Sequence, residues 1–254
     1  MWSGSFDSHP NSASRISRVD WLFTDRFGGV SQGAFESLNL AAHVGDEEHA
    51  VAANRVRLAE AIGVGSTVSA VIKAEHGSKV HEVTPATVDS VPVGDGLVTR
   101  STDIALLALA ADCAPIVLAD STNRVAGVVH CGWRGVVAGV VPATIDKMQE
   151  LGAAEPSISV MVGPTICSEC YVVGEDCAQQ LAAAVPGSTQ RDEEGQWHAD
   201  VAGAVTAQLS WRGIRAQRIQ ECTFTNQRLF SYRRDHTTGR QGAAVVMRSL
   251  GGTP

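Results

Sequence analysis

The sequence predicts a single domain of mixed α/β class, with layered mixed β-sheets flanked by helices. Three observations lead there. Short apolar runs such as "DIALLALAAD", "PIVLAD" and "RVAGVV" have the length and bounding turns of buried strands. Several runs follow one another with no room for a crossover helix, so some neighbours must be antiparallel. Other stretches space their apolar residues as helices do. With 254 residues, 44% hydrophobic and 19% charged, the chain can fill one large core. No repeat, long linker or low-complexity block divides it, so residues 15–250 are read as one domain.

Residues 1–14 are rich in Ser, Asn, Asp and Gly and read as a floppy tail. "ISRVDWLFT" (Ile16–Thr24) reads as a strand, and "RFGGVS" turns. "DEEHAVAANRVRLAEAIG" reads as a helix capped by Asp46, ended by Gly63, with Val51, Leu58 and Ile62 on one face. "VSAVIKA" (Val68–Ala74) reads as a strand that delivers Glu75, His76 and Gly77. Val136–Leu151 has helical spacing. Pro142 there requires either a kink or a helix that starts near Val141. "SISVMVG" reads as a strand, Ala199–Gly213 as a helix and "AAVVM" as a last strand.

The formal net charge of −7 argues against a duplex nucleic acid partner, which needs a basic surface. No apolar run reaches the roughly 18 residues of a membrane span. "MWSGSFDSHPNSASR" lacks the basic start and apolar stretch of a signal peptide, so the six cysteines are expected to be reduced in the cytoplasm. Oligomeric state is not readable from these residues.

Three residues share an unusual context. His76 follows a strand, Cys113 sits between two apolar runs in "ADCAP", and His130 ends a strand in "HCGWRG". Strand ends are where side chains from different strands converge. One thiolate and two imidazoles suit a tetrahedral zinc with one open position, the arrangement of catalytic sites. A second reading is a Cys–His nucleophile pair in which His130 or His76 activates Cys113. The plain alternative is a surface histidine and a small core cysteine. "CSEC" (Cys167–Cys170) lacks a second pair at zinc-ribbon distance, although Cys177 lies near; redox and structural-zinc use are its alternatives, and an incidental pair its plainer reading. The nucleobase-deaminase signature is absent, since no histidine is followed two places on by Glu. A multicopper oxidase would need His-x-His pairs, and no two of the eight histidines are two apart.

Arginines give an anion signal. Arg26 lies in "TDRFGGVS", Arg134 lies in the Gly-Trp-Arg-Gly turn before a helix start, and "LFSYRRDHTTGR" adds Arg233, Arg234 and Arg240 beside Tyr232. Surface arginines are commonly just solvated, but together these could hold phosphate or ribose. Asp112 is a candidate proton carrier, with partner of a ligand histidine as its plainer role.

The stretches "DRFGGVS", "SLNLAAHVGD", "EHG", "ADCAPIVLAD", "HCGWRG", "GPTICSECYVVG" and "CTFTNQRLFSYRRDHTTGR" together resemble the laccase-domain family, from about Thr24 to Met247. That family is also called polyphenol oxidase or multicopper-oxidase-like and is now described as a purine nucleoside phosphorylase family. The resemblance implies a laccase-domain (cytotoxic-necrotizing-factor-like) fold and zinc ligands His76, Cys113 and His130. It implies phosphorolysis of adenosine, inosine, guanosine and methylthioadenosine, with adenosine deamination. Copper-dependent phenol oxidation is the alternative enzymatic reading, and a non-catalytic metal-binding interaction protein the third. Purine nucleoside and phosphate are the implied partners, with Arg26, Asn39, Arg134, Arg234 and Arg240 as the binding set. Three departures stand out. Ala74-Glu75-His76-Gly77 replaces the usual Gln-Val-His-Gly, Cys131 stands where Ala is common, and Pro142 interrupts a stretch usually free of proline.

Overall fold

A computed structural model describes residues 1–7, 18–65, 70–90 and 92–248. Strands β1 (Trp2–Asp7) and β2 (Arg18–Phe23) precede helix α1 (Glu48–Ile62). Then come β3 (Ala70–Val71), β4 (Val80–Glu82), β5 (Gly96–Thr99), β6 (Ala105–Ala110), β7 (Ala114–Asp120) and β8 (Val125–Cys131). Helices α2 (Trp133–Ala138) and α3 (Val140–Glu150) follow, then β9 (Ser159–Val162), β10 (Val172–Val173), α4 (Glu175–Ala184), β11 (Thr189–Arg191) and β12 (Trp197–Ala199). The chain ends with α5 (Val201–Trp211), β13 (Ala216–Arg218), α6 (Tyr232–Asp235) and β14 (Gln241–Met247).

The strands form three sheets, in orders β1-β2-β14-β6-β3, β13-β9-β7-β8-β5-β4 and β10-β12-β11. The two large sheets are mixed, as the short strand connections require: β3 with β6, β4 with β5 and β13 with β9 are parallel, and the other pairs antiparallel.

Strand alternation sorts the apolar side chains into layers. On β6, Leu106 and Ala108 face one way and Ala105, Leu107 and Leu109 the other. The first set meets Val117, Ala126, Val128 and Met161 of the second large sheet, forming the apolar layer between the sheets. The second set packs on Leu58 and Ile62 of α1. The far face of the second sheet, Ile116, Leu118 and Val129, is covered by Val136, Ile145, Met148, Leu181 and Leu209 from α2, α3, α4 and α5. The molecule is therefore helix, sheet, sheet, helices in four layers.

Three expectations are corrected in detail. Residues 2–7, expected in the tail, pair with β2 as an edge strand; 8–17 lie outside the described residues. Trp2 and Phe6 pack at the edge of the inter-sheet layer, and Gly4 leaves room for the Trp21 ring, which a Cβ there would meet at 2.5 Å. Asp46 does not cap α1: its carboxylate accepts from the Ser31 hydroxyl, the Asn39 amide and the Glu47 N–H. The strand expected at Val68–Ala74 is short, Ala70–Val71 with a bridge at Lys73; 66–69 lie outside the described residues. Gly63 ends α1 in the left-handed region as expected, at φ +72°. Pro142 resolves in favour of a new helix. Gly139 at φ +79° separates α2 from α3, and Pro142 sits in the first turn of α3, where no intrahelical N–H bond is lost. Among the described residues no helix is long and apolar enough to cross a membrane.

Candidate functional site

The same alternation aims two side chains at one point. Residues 117 and 119 of β7 face the inter-sheet layer, so Cys113, just before the strand, shares their side. Residues 126 and 128 of β8 face that layer too, which puts His130 on it. Pro115 lies directly opposite His130 in the antiparallel register, so Cys113 is its diagonal neighbour. His76 arrives from a different segment, in a turn with φ +63° after the Lys73–Val93 bridge. The candidate ligand atoms of His76, Cys113 and His130 all lie within 4.8 Å of one another. The two imidazole rings stand 4.8 Å apart and at 88°. Gly132 makes the approach possible, since a Cβ there would come within 2.9 Å of the Cys113 sulfur.

Asp95 holds the cluster together. Its carboxylate, 0% exposed, accepts from His130 Nδ1 at 2.9 Å and from the N–H groups of His76 (3.0 Å) and Gly77 (2.7 Å). Its carbonyl takes the His130 N–H at 2.8 Å. One residue thus fixes both the His76 turn and the His130 ring. An ionised carboxylate can only accept, so Nδ1 carries a proton, and Nε2 is the nitrogen that can donate to a metal once its own proton leaves. Burial works against the Asp95 charge, yet the His130 bond and the two N–H groups outweigh it and hold the carboxyl below its ordinary value.

The electrostatics favour charge separation. Burial pushes the Cys113 thiol up, but the charge and hydrogen bonds of His130 and His76 bring it down to about 6. Burial pushes His130 down, but the Cys113 thiolate and Asp95 carry it up to about 9. A thiolate beside two imidazoles, one with a carboxylate behind it, is a donor set that fits a zinc-class cation with an open position.

The cluster opens into a cavity of about 470 Å³ whose wall also includes His43, Ile72, Lys73, Tyr232 and Arg240. Arg240 Nη1 donates to the carbonyls of Thr238 and Gly239, which anchors the guanidinium near the Tyr232 ring. Burial and the positive charges of Arg240, Arg55 and Lys73 hold His43 below its ordinary value, which favours its neutral form. The cavity lining thus carries both metal-type donors and cationic groups.

Of the arginines singled out in the sequence, Arg240 is the one on this lining. Arg26 donates through Nε to the Glu36 carbonyl and lies over the Phe230 ring. Arg134 lies exposed over Trp133. Arg234 spends its guanidinium on the carbonyls of Thr223, Phe224 and Leu229 and on Asp235. Arg233 covers Tyr171. Asn39 is fully buried and works at one remove: its Oδ1 accepts the Arg240 N–H at 2.9 Å. Asp112 is held at φ +96°, with its carboxylate taken by the Thr223 hydroxyl and the Arg233 N–H. The carboxylate partner of a ligand histidine, expected at Asp112, is instead Asp95. Glu75 is exposed, and Cys131 turns into the apolar layer under α2, away from the cluster.

Sequence reasoning missed Asp95, His43 and Lys73. Asp95 stands in "VGDGL", where an acid between glycines signals a turn, but nothing local joins it to a histidine 35 residues on. His43 lay inside a motif whose register to the cavity only the fold supplies.

Comparison with known proteins identifies the family. The family model for multi-copper polyphenol oxidoreductase laccase matches residues 20–248. The chain belongs to that family. It is 41% identical over 228 residues to a purine nucleoside phosphorylase of Streptomyces griseus, covering 89% of this chain and 93% of the relative. It is 40% identical over 229 residues to a purine nucleoside phosphorylase of Deinococcus radiodurans, covering 89% and 88%. Among solved structures, a Neisseria meningitidis protein superposes with a TM-score of 0.83 at 27% identity, covering 96% of this chain and 99% of that one. YlmD of Geobacillus stearothermophilus gives a TM-score of 0.81 at 29% identity, covering 95% and 94%.

Proposed function

We propose that the chain is a purine nucleoside phosphorylase that works with a zinc-class ion held by His76, Cys113 and His130. The observation that carries this is the sharing of one cavity by the metal-type donors and the cations Arg240 and Lys73. Relatives named as purine nucleoside phosphorylases support it. In the reaction a phosphate oxygen bonds to C1′ of the ribose, the bond from C1′ to the purine nitrogen breaks, and the purine leaves with the electron pair and takes up a proton. Arg240 and Lys73 bind and orient the phosphate, and bidentate donation is the guanidinium's strength there. Ile72 and the Tyr232 ring give the base an apolar wall. His43, kept neutral, can accept or pass on the proton. The ion, when bound, supplies Lewis acidity in the cavity. Asp95 keeps His130 oriented through the cycle.

Adenosine, inosine, guanosine and methylthioadenosine are the proposed substrates. A slower deamination of adenosine follows when water replaces phosphate: an oxygen bonds to C6 and ammonia leaves. Residues 15–250 are proposed to act as one catalytic domain in the cytoplasm, with no nucleic acid or membrane partner. Adenosine incubated with phosphate should yield adenine and ribose 1-phosphate in equal amounts, and adenosine alone should slowly yield inosine. The copper-dependent phenol oxidase, the reading behind the family's description, predicts oxygen uptake on phenols instead. Absence of both nucleoside products from zinc-loaded protein, with phenol oxidation by copper-loaded protein, would establish that reading.

A further inference from the structure

A second cluster of thiols lies outside the cavity. Cys167 opens the 3-10 turn Ser168–Cys170, and the three-residue period of that turn brings Cys170 back to the same side. Cys222 reaches them from a distant segment, through a parallel bridge between Thr165 and Cys222. That bridge is closed by the Thr165 N–H on the Glu221 carbonyl and the Thr223 N–H on the Thr165 carbonyl. The three sulfurs lie within 4.8 Å of one another, and each is half-buried. The Cys167 N–H donates to the Cys222 sulfur at 3.3 Å, the kind of bond that supports a metal-bound thiolate. The Glu169 carboxylate stands beside the Cys167 thiol. A surface cavity of about 340 Å³, lined by Cys167, Glu169 and Cys222 among others, gives an entry path.

We propose that Cys167, Cys170 and Cys222 form a second metal site for a zinc-class ion, separate from the catalytic cluster and serving to fasten it. Three sulfurs exceed what one disulfide uses, whereas three thiolates with Glu169 or water as fourth ligand complete a tetrahedral zinc. Binding forms three sulfur–metal bonds, releases the thiol protons to solvent and needs no oxidant. The two segments that carry these cysteines also grip Asp112, the residue before Cys113. The Thr165 hydroxyl (2.6 Å) and the Ile166 N–H (3.0 Å) donate to the Asp112 carbonyl, and the Thr223 hydroxyl donates to its carboxylate at 2.6 Å. An ion across the three sulfurs ties the 165–170 and 221–223 segments together and so holds the turn that presents Cys113.

The test is metal stoichiometry of the full-length protein loaded with zinc alone, by elemental analysis. Two zinc per chain are expected in the unmodified protein, one in Cys113→Ala and one in the double variant Cys167→Ser/Cys222→Ser. Alkylation of the unmodified protein, mapped by peptide, removes any dependence on the folding of a variant. Zinc should protect Cys167, Cys170 and Cys222, and a chelator should expose all three. The proposal is overturned by a Cys113→Ala protein that holds no zinc, by equal alkylation with and without chelator, or by a Cys167–Cys170 or Cys167–Cys222 disulfide in protein purified under reducing conditions. Loss of the catalytic reading alone would appear differently, as zinc on the three thiols of a protein that releases no ribose 1-phosphate.

Discussion

Among the described residues, potential metal ligands gather in two places, and the two are built on opposite plans. His76, Cys113 and His130 come from three segments, sit at the ends of the inter-sheet layer, and share a buried carboxylate, Asp95, that bonds two of the three segments. Cys167, Cys170 and Cys222 come from one short turn and one bridged loop, are half-buried, and stand beside the exposed carboxylate of Glu169. The first cluster is organised by the protein before any ion arrives. The second depends far more on the ion to hold its parts together. Preorganisation by a locked outer partner is what catalytic sites require, and fastening a loop does not.

The largest expected effect separates the two clusters outright. Cys113→Ala should abolish both zinc binding at the first cluster and release of ribose 1-phosphate, while Cys170→Ala, which reaches Cys113 only through the turn at Asp112, should lower phosphorolysis by no more than about tenfold. Comparable losses in both variants, by turnover assay, would erase the distinction. Next comes Asp95→Asn, which removes the charge behind His130. Zinc affinity should fall by about 10- to 100-fold, measured by competition with a chelating dye, because outer partners of metal-bound histidine have effects of that size. An unchanged affinity would mean that the cluster is not preorganised by Asp95.

The pH dependence sharpens the same point. With Cys113 lowered to about 6 and His130 raised to about 9, the metal-free pair at pH 7.5 is thiolate and imidazolium. A bound ion needs the imidazole neutral, so binding displaces one proton from His130 in this window. Affinity in the Cys167→Ser/Cys222→Ser protein should therefore rise about tenfold per pH unit between about 6 and 9 and level off above, as one-proton linkage requires. A flat profile across that range would show that no proton leaves the pair.

A smaller effect is expected at the cationic wall. Arg240→Ala should raise the KM for phosphate by about tenfold with zinc retained, the size of one charge-assisted hydrogen bond. Arg26→Ala, off the cavity lining, should change it less. The reverse order would place the anion away from the wall of Arg240 and Lys73.

What the sequence made legible follows the range of each interaction. The three residues of the His76, Cys113 and His130 cluster were readable because each ends or adjoins an apolar run, and strand ends are local features. Their convergence depends on alternation along β7 and β8, also local. Asp95 was not readable, because its meaning lies in bonds to His76 and to His130, in separate segments. Asp46 misled for the same reason: its place before a helix suggested a cap, but Ser31 and Asn39 claim the carboxylate. Strand β1 escaped notice because serines alternate with Trp2, Gly4 and Phe6, and polar composition masked a half-buried edge. Arg234 looked like an anion binder but is consumed by the carbonyls of its own loop.

The most direct measurement is a zinc titration of chelator-stripped protein with adenosine and phosphate present, reading ribose 1-phosphate against bound zinc. Turnover should be absent without metal and rise with occupancy of the site that Cys113→Ala removes, and zinc on Cys167, Cys170 and Cys222 alone should give none. Full turnover in metal-free protein, or turnover that tracks only the three-thiol site, would contradict a catalytic centre at His76, Cys113 and His130.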